Sequence, residues 1–412
     1  MDTDFKSATQ EKLQQTPKPI EKTFETPGEV AARDDLASPA ELPEFVPGGK
    51  PASPNWRNRL KQQWPPSKKG WIVIVICLLV LGGLIALVLS LSPSKPTVKA
   101  SVMIPAKTVV KSDTVASDLT GLQVAPGVNQ RPVTGVMIEN SVDARPQSGL
   151  GQAGVVFEAV AEGGITRFLA LYQDTAPSNL GPVRSARPYY VEWAMGFDAG
   201  YAHVGGSPDA LSDIKLWNTR DLDEFYNGSY YHRISTRQAP HNVYTSVAEL
   251  NQLEAKKGYT SSTYSSFPRK AATPSKVPTA KTLNMTLSGS SYNVQYAYNA
   301  TTNSYNRSEG GAPQIDANTN QQISPQVVIA IVVPESQGSL DASGAYYSDY
   351  ASIGSGQAYV FQDGTVTTGE WAKTSPTSQI TFMASSGDPI KLNPGQTWIT
   401  AISSTRELSY TP

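Results

Sequence analysis

Residues 155–172 read VVFEAVAEGGITRFLALY, and this stretch decides how the folded part of the chain is built. Apolar residues run on either side of Glu162-Gly163-Gly164, the pattern of two strands joined by a tight glycine turn, so a β-hairpin is predicted. With Glu162 and Gly163 as the central turn residues, Glu158 falls opposite Arg167. That register predicts a cross-strand ion pair on one face of the hairpin.

Helices are signalled downstream of the hairpin. Ser185 stands before ARPYYVEWAMGF (186–197) as an N-cap. GYAHVGGSPDALSDIKLW (200–217) reads as strand, Gly-Gly turn, Ser207 N-cap, Pro208 at the first helical position, then helix. Ser246-Val-Ala-Glu249 is a capping box, and Gly258 closes that third helix after Lys256 and Lys257. A second block reads as nearly all β. AYVFQDGTVTTGEW (358–371) turns at Asp363-Gly364, ITFMASSGDPIKLNPGQTWITAI (380–402) carries two more turns, and VVIAIVV (327–333) is apolar at every position like a strand buried on both faces. The fold class predicted is α+β: a mixed α/β block over 131–258, a linker over 259–281 and a mostly antiparallel β block over 282–412.

Upstream the chain changes character. Residues 1–70 hold ten prolines and no sustained apolar period, so a disordered tail is expected. Residues 71–91 (WIVIVICLLVLGGLIALVLSL) are 21 uncharged and mostly apolar residues, which as a helix reach roughly 32 Å, enough for a bilayer core. Five basic residues lie within fifteen before this span and two within fifteen after it, which predicts a cytoplasmic N-terminus and an extracytoplasmic C-terminal body. The lipid bilayer is thus the first expected partner, through 71–91. Residues 92–130, rich in Ser, Pro, Thr, Val and Lys, read as a stalk.

Composition excludes several classes of function. The only cysteine, Cys77, lies in the apolar span, so disulfide scaffolds, Cys-ligated metals and thiol nucleophiles are ruled out in the soluble parts. With 34 Lys and Arg against 35 Asp and Glu there is no broad positive surface, and the first block is net acidic, so nucleic acid is not expected as a partner. The three histidines, His203, His232 and His241, fit neither a helical metal pair nor a zinc-ribbon spacing, and neither metal nor cofactor is assigned. There is no G-x-S-x-G elbow, and Ser207 is explained as an N-cap.

The first block nevertheless prefers Arg to Lys, which suits fixed bidentate contacts with carboxylate or phosphate. Gly205, Gly206 and Ser207 lead into a helix N-terminus that attracts anions. Arg184 and Arg187 stand at another helix start, and Arg237 and His241 lie in one loop. These residues form the expected anion-binding set, in a block whose eight arginines include Arg145 and Arg167. Glu158, Glu162 and His203 are the candidates for acid and base, with His241 as a second proton carrier.

The motifs GVMIENSVDARPQSGL (135–150), FEAVAEGGITRFLALY (157–172), GPVRSARPYYVEWA (181–194), AHVGGSP (202–208) and APHNVYTS (239–246) together resemble the YerB-like family of bacterial envelope lipoproteins. YNATTNSYNR (298–307), GSGQAYVFQDG (354–364), GEWAK (369–373) and LNPGQTWI (392–399) resemble that family's C-terminal domain. The resemblance covers 131–405 and implies an envelope location but no reaction. Carried over by position, its motifs add Glu139, Asn140, Arg145 and Arg167 to the set above, with Arg145 and Arg167 as ligand-binding residues. Cys77 sits in no lipobox, so the apolar span would take the place of a lipid anchor. The function expected is a single-pass, membrane-anchored envelope protein that binds an anionic cell-wall or peptide ligand. The alternatives are an envelope hydrolase or transferase using Glu158 or Glu162 with His203, and a scaffold for a protein complex.

Overall fold

The computed structural model describes Leu79, Val80, residues 113–341 and residues 343–412. The tail expected over 1–70, the membrane helix over 71–91 apart from helical Leu79 and Val80, and the stalk over 92–112 lie outside the described residues. Among the described residues no helix is long and apolar enough to cross a membrane. The described residues from 113 to 412 belong to one compact unit.

Fifteen strands and three helices organise the body. In chain order the strands are β1 (Thr134–Glu139), β2 (Val155–Glu162), β3 (Ile165–Tyr172), β4 (Gly200–Ala202), β5 (Thr282–Met285), β6 (Val294–Asn299), β7 (Ser304–Glu309), β8 (Val327–Val332), β9 (Glu335–Leu340), β10 (Tyr346–Tyr350), β11 (Gly354–Gln362), β12 (Thr365–Lys373), β13 (Thr381–Ala384), β14 (Thr397–Ile402) and β15 (Leu408–Thr411). The helices are α1 (Pro188–Met195), α2 (Pro208–Leu216) and α3 (Val247–Lys256). Shorter pieces complete the surface.

One mixed sheet runs in the order β13-β12-β11-β8-β14-β2-β3-β1-β4. Its middle is a pair of parallel contacts, β8 with β14 and β14 with β2; the pairs on either side are antiparallel except the last, β1 with β4, which is parallel. The second block therefore supplies half of the sheet that the first block begins. The rest of the second block forms an antiparallel sheet, with β7, β6, β5 and β15 side by side. Segment 259–281 is packed rather than free, since Phe267 is buried in the core. The same holds for 113–130, where Leu119 is buried and Ser117 donates to Asp174 at 2.7 Å.

Alternation along β2 explains the layering. Val155, Phe157 and Ala159 face α1 and α2, where Phe157 stacks on Trp193 with ring centres 5.0 Å apart. Val156, with Phe168 of β3, faces the second sheet and α3, meeting Trp398, Leu283, Met285 and Tyr296. Because both faces are covered, β8 is apolar throughout, as the run 327–333 predicted.

Local signals gave the helices closely. Ser207 accepts from the Ala210 N–H at 3.3 Å with Pro208 following. Ser246 caps α3 by accepting from the Glu249 N–H at 3.1 Å, and its hydroxyl donates to the Glu249 carboxylate at 2.8 Å, so the cap forms with a side-chain bond in place of the box's second backbone bond. Asp363 and Gly364 both adopt positive φ in the β11–β12 turn. The α1 start differs from expectation: Arg187 precedes the first turn and makes no side-chain cap, and Pro188 sets the helix two residues later than Ser185 would.

Candidate functional site

The hairpin register places the first candidate. The turn is Gly163-Gly164, one residue later than predicted, and the ladder shifts again between Val160 and Glu162. Glu158 consequently pairs with Phe168, and Arg167 with Ala159, so the two charged residues point to opposite faces. The expected Glu158–Arg167 pair does not form.

Glu158 is instead fully buried between the sheets, 2.7 Å from Arg307 on β7, with the Trp398 indole donating at 2.8 Å and Thr400 at 3.3 Å. Arg307 also reaches Glu309 at 3.3 Å and lies over the Trp398 ring at 4.5 Å. Burial pushes the Glu158 carboxyl up, against the pull of Arg307. Burial works against the Arg307 charge too, but Glu158 and Glu309 hold it above its ordinary range. With no exposure and every oxygen held, Glu158 is a tie between the sheets and not an acid or base for a bound molecule.

Glu162 is the shared partner of Arg167 and Arg187. The other terminal nitrogens donate to the Ser185 and Ala186 carbonyls, both Nε atoms are buried without a partner, and Tyr347 of β10 covers Arg187 at 4.6 Å. Burial and the adjacent Arg187 charge bring the Arg167 guanidinium down to about 10. The two arginines are consumed in this clamp.

His203 is fully buried, its Nδ1 2.8 Å from the Gly205 carbonyl and its Nε2 3.1 Å from Asp221. Burial raises the Asp221 carboxyl, but the His203 hydrogen bond and charge outweigh it and hold the group below the usual carboxylate range. The carboxylates that face His203 are Asp221 and Asp223, not Glu158 or Glu162. The acid–base pairing of His203 with either glutamate is therefore overturned. His203 instead braces the loop whose Gly205, at φ 56°, donates to Asp223 at 2.9 Å. A Cβ on Gly205 would stand 2.6 Å from the Phe225 ring, so the sharp turn and the close approach both require glycine.

The α2 start opens on a cleft of about 320 Å³ lined by Arg187 and Ser207, but also by Glu192, Asp209, Asp213 and Asp349. Burial pushes the Glu192 carboxyl up to about 7, Lys373 opposing, and Asp213 rises with it through burial and the neighbouring aspartates. An anion entering here would meet four carboxyl groups. Gly205, Gly206 and Ser207 thus build a helix entrance and not the anion site expected of them.

The remaining candidates converge elsewhere. Glu139 ends β1 with its side chain almost wholly buried. Its Oε1 lies 2.9 Å from His241 Nδ1, 3.0 Å from the Ser141 hydroxyl and 3.3 Å from Arg184 Nε. Its Oε2 is buried without a partner. Segment 139–147 gathers the rest: Arg145 is spent on Asn140, the Ser291 carbonyl and Glu309, and Arg237 on the Asp143 and Pro146 carbonyls. Next to Arg145 a cavity of about 450 Å³ opens between Val142, Pro146 and Pro313. Among the described residues, the terminal nitrogens of Arg184 make no hydrogen bond, and neither does His241 Nε2. Their side chains are 27% and 22% exposed. Of the five arginines expected to bind an anion, Arg184 alone keeps its planar fork free.

Among the described residues no cluster of three or more His, Cys, Asp or Glu is arranged to hold a metal ion. Sequence reasoning missed Arg307 and the use of Glu139 as an anchor. The alternation of Arg307 and Glu309 along one strand face is the signal that marks an inward-facing polar pair.

The architecture, a mixed sheet covered by helices on one face and by an antiparallel sheet on the other, defines a two-part α+β module. Residues 119–260 match the N-terminal domain, and residues 283–399 the C-terminal domain, of the family described as "Protein of unknown function (DUF3048)". A protein of Bacillus subtilis strain 168 named "Putative lipoprotein YerB" is 32% identical over 289 residues, covering 69% of this chain and 85% of the relative. The crystal structure of the YerB protein from Bacillus subtilis superimposes with a TM-score of 0.65 at 28% identity, covering 72% of this chain and all of that one. This chain belongs to the DUF3048 family, of which YerB is a member.

Proposed function

We propose that the protein is attached to the bacterial cell membrane, N-terminus inside, and binds an anionic group of an envelope ligand at Arg184 and His241. The carrying observation is the free Arg184 fork, tied through one oxygen of buried Glu139 to a histidine whose outer nitrogen is also free. The Arg184 Nε lies 3.3 Å from Glu139 without a hydrogen bond, and both terminal nitrogens stay available as parallel donors, the arrangement that suits a phosphate or carboxylate. The lipoprotein description of the Bacillus subtilis relative supports the envelope location, and the apolar run 71–91 supplies an anchor without a lipid. The ligand class is a phosphate- or carboxylate-bearing cell-wall or peptide group.

Thermal unfolding of the detergent-solubilised chain with phosphate, acetate and soluble wall fragments tests this. An anion at about a hundredfold its Kd adds roughly 2.7 kcal/mol and raises the midpoint. The shift disappears in Arg184→Ala and persists in Arg233→Ala, whose guanidinium lies on the surface beside Glu224. Equal shifts in both variants, or none in the wild type, contradict the proposal.

A further inference from the structure

Resting on that reading, we infer that His241 is the general base of a hydrolytic site, and that the anion held by Arg184 is a phosphodiester. The imidazole is oriented by a carboxylate that is itself buried: Nδ1 stands 2.9 Å from Glu139 Oε1. A ring that gives its Nδ1 proton to a carboxylate turns the lone pair of Nε2 outward, which is the arrangement needed to take a proton. Nε2 has no partner among the described residues, and the side chain reaches solvent.

The nucleophile is water. Ser141 is the hydroxyl within reach of the ring, but it stands 3.2 Å from Nδ1, the nitrogen already committed to Glu139. A serine on that side cannot be activated by Nε2. Charge selects the ester. With the imidazole neutral, as a base must be, Arg184 and Glu139 cancel, so the site has no surplus charge for a phosphomonoester dianion. The monoanion of a diester asks only for the two outward donors of the fork.

In the step, the water oxygen forms a bond to phosphorus as the bond from phosphorus to the leaving oxygen breaks. Nε2 takes the water proton and then gives it up to solvent, while the leaving oxygen, on the far side of phosphorus, departs as an anion and takes a proton from solvent, so that monoester and alcohol are released and the imidazole returns to neutral. The Nδ1 proton stays on its bond to Glu139, and Arg184 faces the charge that builds on the equatorial oxygens.

Bis(p-nitrophenyl) phosphate, incubated with the full-length chain in detergent, is the probe, and release of nitrophenolate the readout. The wild type turns over. His241→Gln loses at least a hundredfold in kcat and weakens, without abolishing, the phosphate-induced rise in unfolding midpoint, which also shows that it is folded. Arg184→Ala loses both. His241→Gln with kcat within threefold of wild type overturns the inference, as does a wild type that binds phosphate without turnover. The latter result leaves the binding proposal standing, whereas absence of any phosphate shift removes both.

Discussion

Arg307→Met will destabilise the protein by about 3–5 kcal/mol, because it strands Glu158 between two sheets with no cation in reach. Arg307 and Glu158 are both without solvent exposure, and they join strands of the two different sheets. The Trp398 and Thr400 donors remain after the substitution, but they do not neutralise a charge. Replacing both partners is expected to behave differently. Arg307→Met with Glu158→Leu removes the charge and its partner together, and Glu309 keeps Arg145 at 3.2 Å, so most of the lost stability should return. Chemical denaturation of the two variants measures this. A loss below about 1 kcal/mol in the single variant, or no recovery in the double, would show that the pair is not what ties the sheets.

The second large effect is an asymmetry at the hairpin. Two guanidinium groups share Glu162, so Glu162→Gln leaves both without a counter-charge and should cost about 3–5 kcal/mol. Arg187→Met removes one member of the like-charged pair and leaves Arg167 with Glu162 to itself. It loses the stack on Tyr347 and the bond to the Ala186 carbonyl, which together are worth about 1–2 kcal/mol. The ratio is the test. If the Arg187 variant is as unstable as the Glu162 variant, the clamp is not a surplus of positive charge on one carboxylate.

What could be read in the sequence was local. Caps, prolines and glycine turns announce themselves within four residues, so α2, α3 and the Asp363-Gly364 turn were legible down to their bonding partners. Register was less so. A turn one residue later and one irregularity in β2 sent Glu158 and Arg167 to opposite faces, and no pattern of apolar residues could warn of it, since both faces of this sheet are buried. The parallel pairing of β14 with β2 spans more than two hundred residues and carries no short signature. That pairing merges the two blocks into one sheet.

The candidate site was partly legible for the same reason. An excess of Arg over Lys correctly indicated fixed contacts, but most of those contacts are with the protein itself: Arg167 and Arg187 with Glu162, Arg145 with Glu309. Residue type alone does not tell a guanidinium spent inside the fold from one left open. Arg184 differs in lying beside its carboxylate at Nε without a hydrogen bond and in reaching solvent, a matter of approach angle and exposure.

The most direct measurement is a crystal structure of the protein soaked in perrhenate, a tetrahedral monoanion, with the ion located by its anomalous scattering. The account predicts perrhenate within hydrogen-bond distance of both terminal nitrogens of Arg184, with His241 beside it. An ion lodged instead beside Arg187 and Ser207, or none at Arg184 in a lattice that leaves it open, would contradict it.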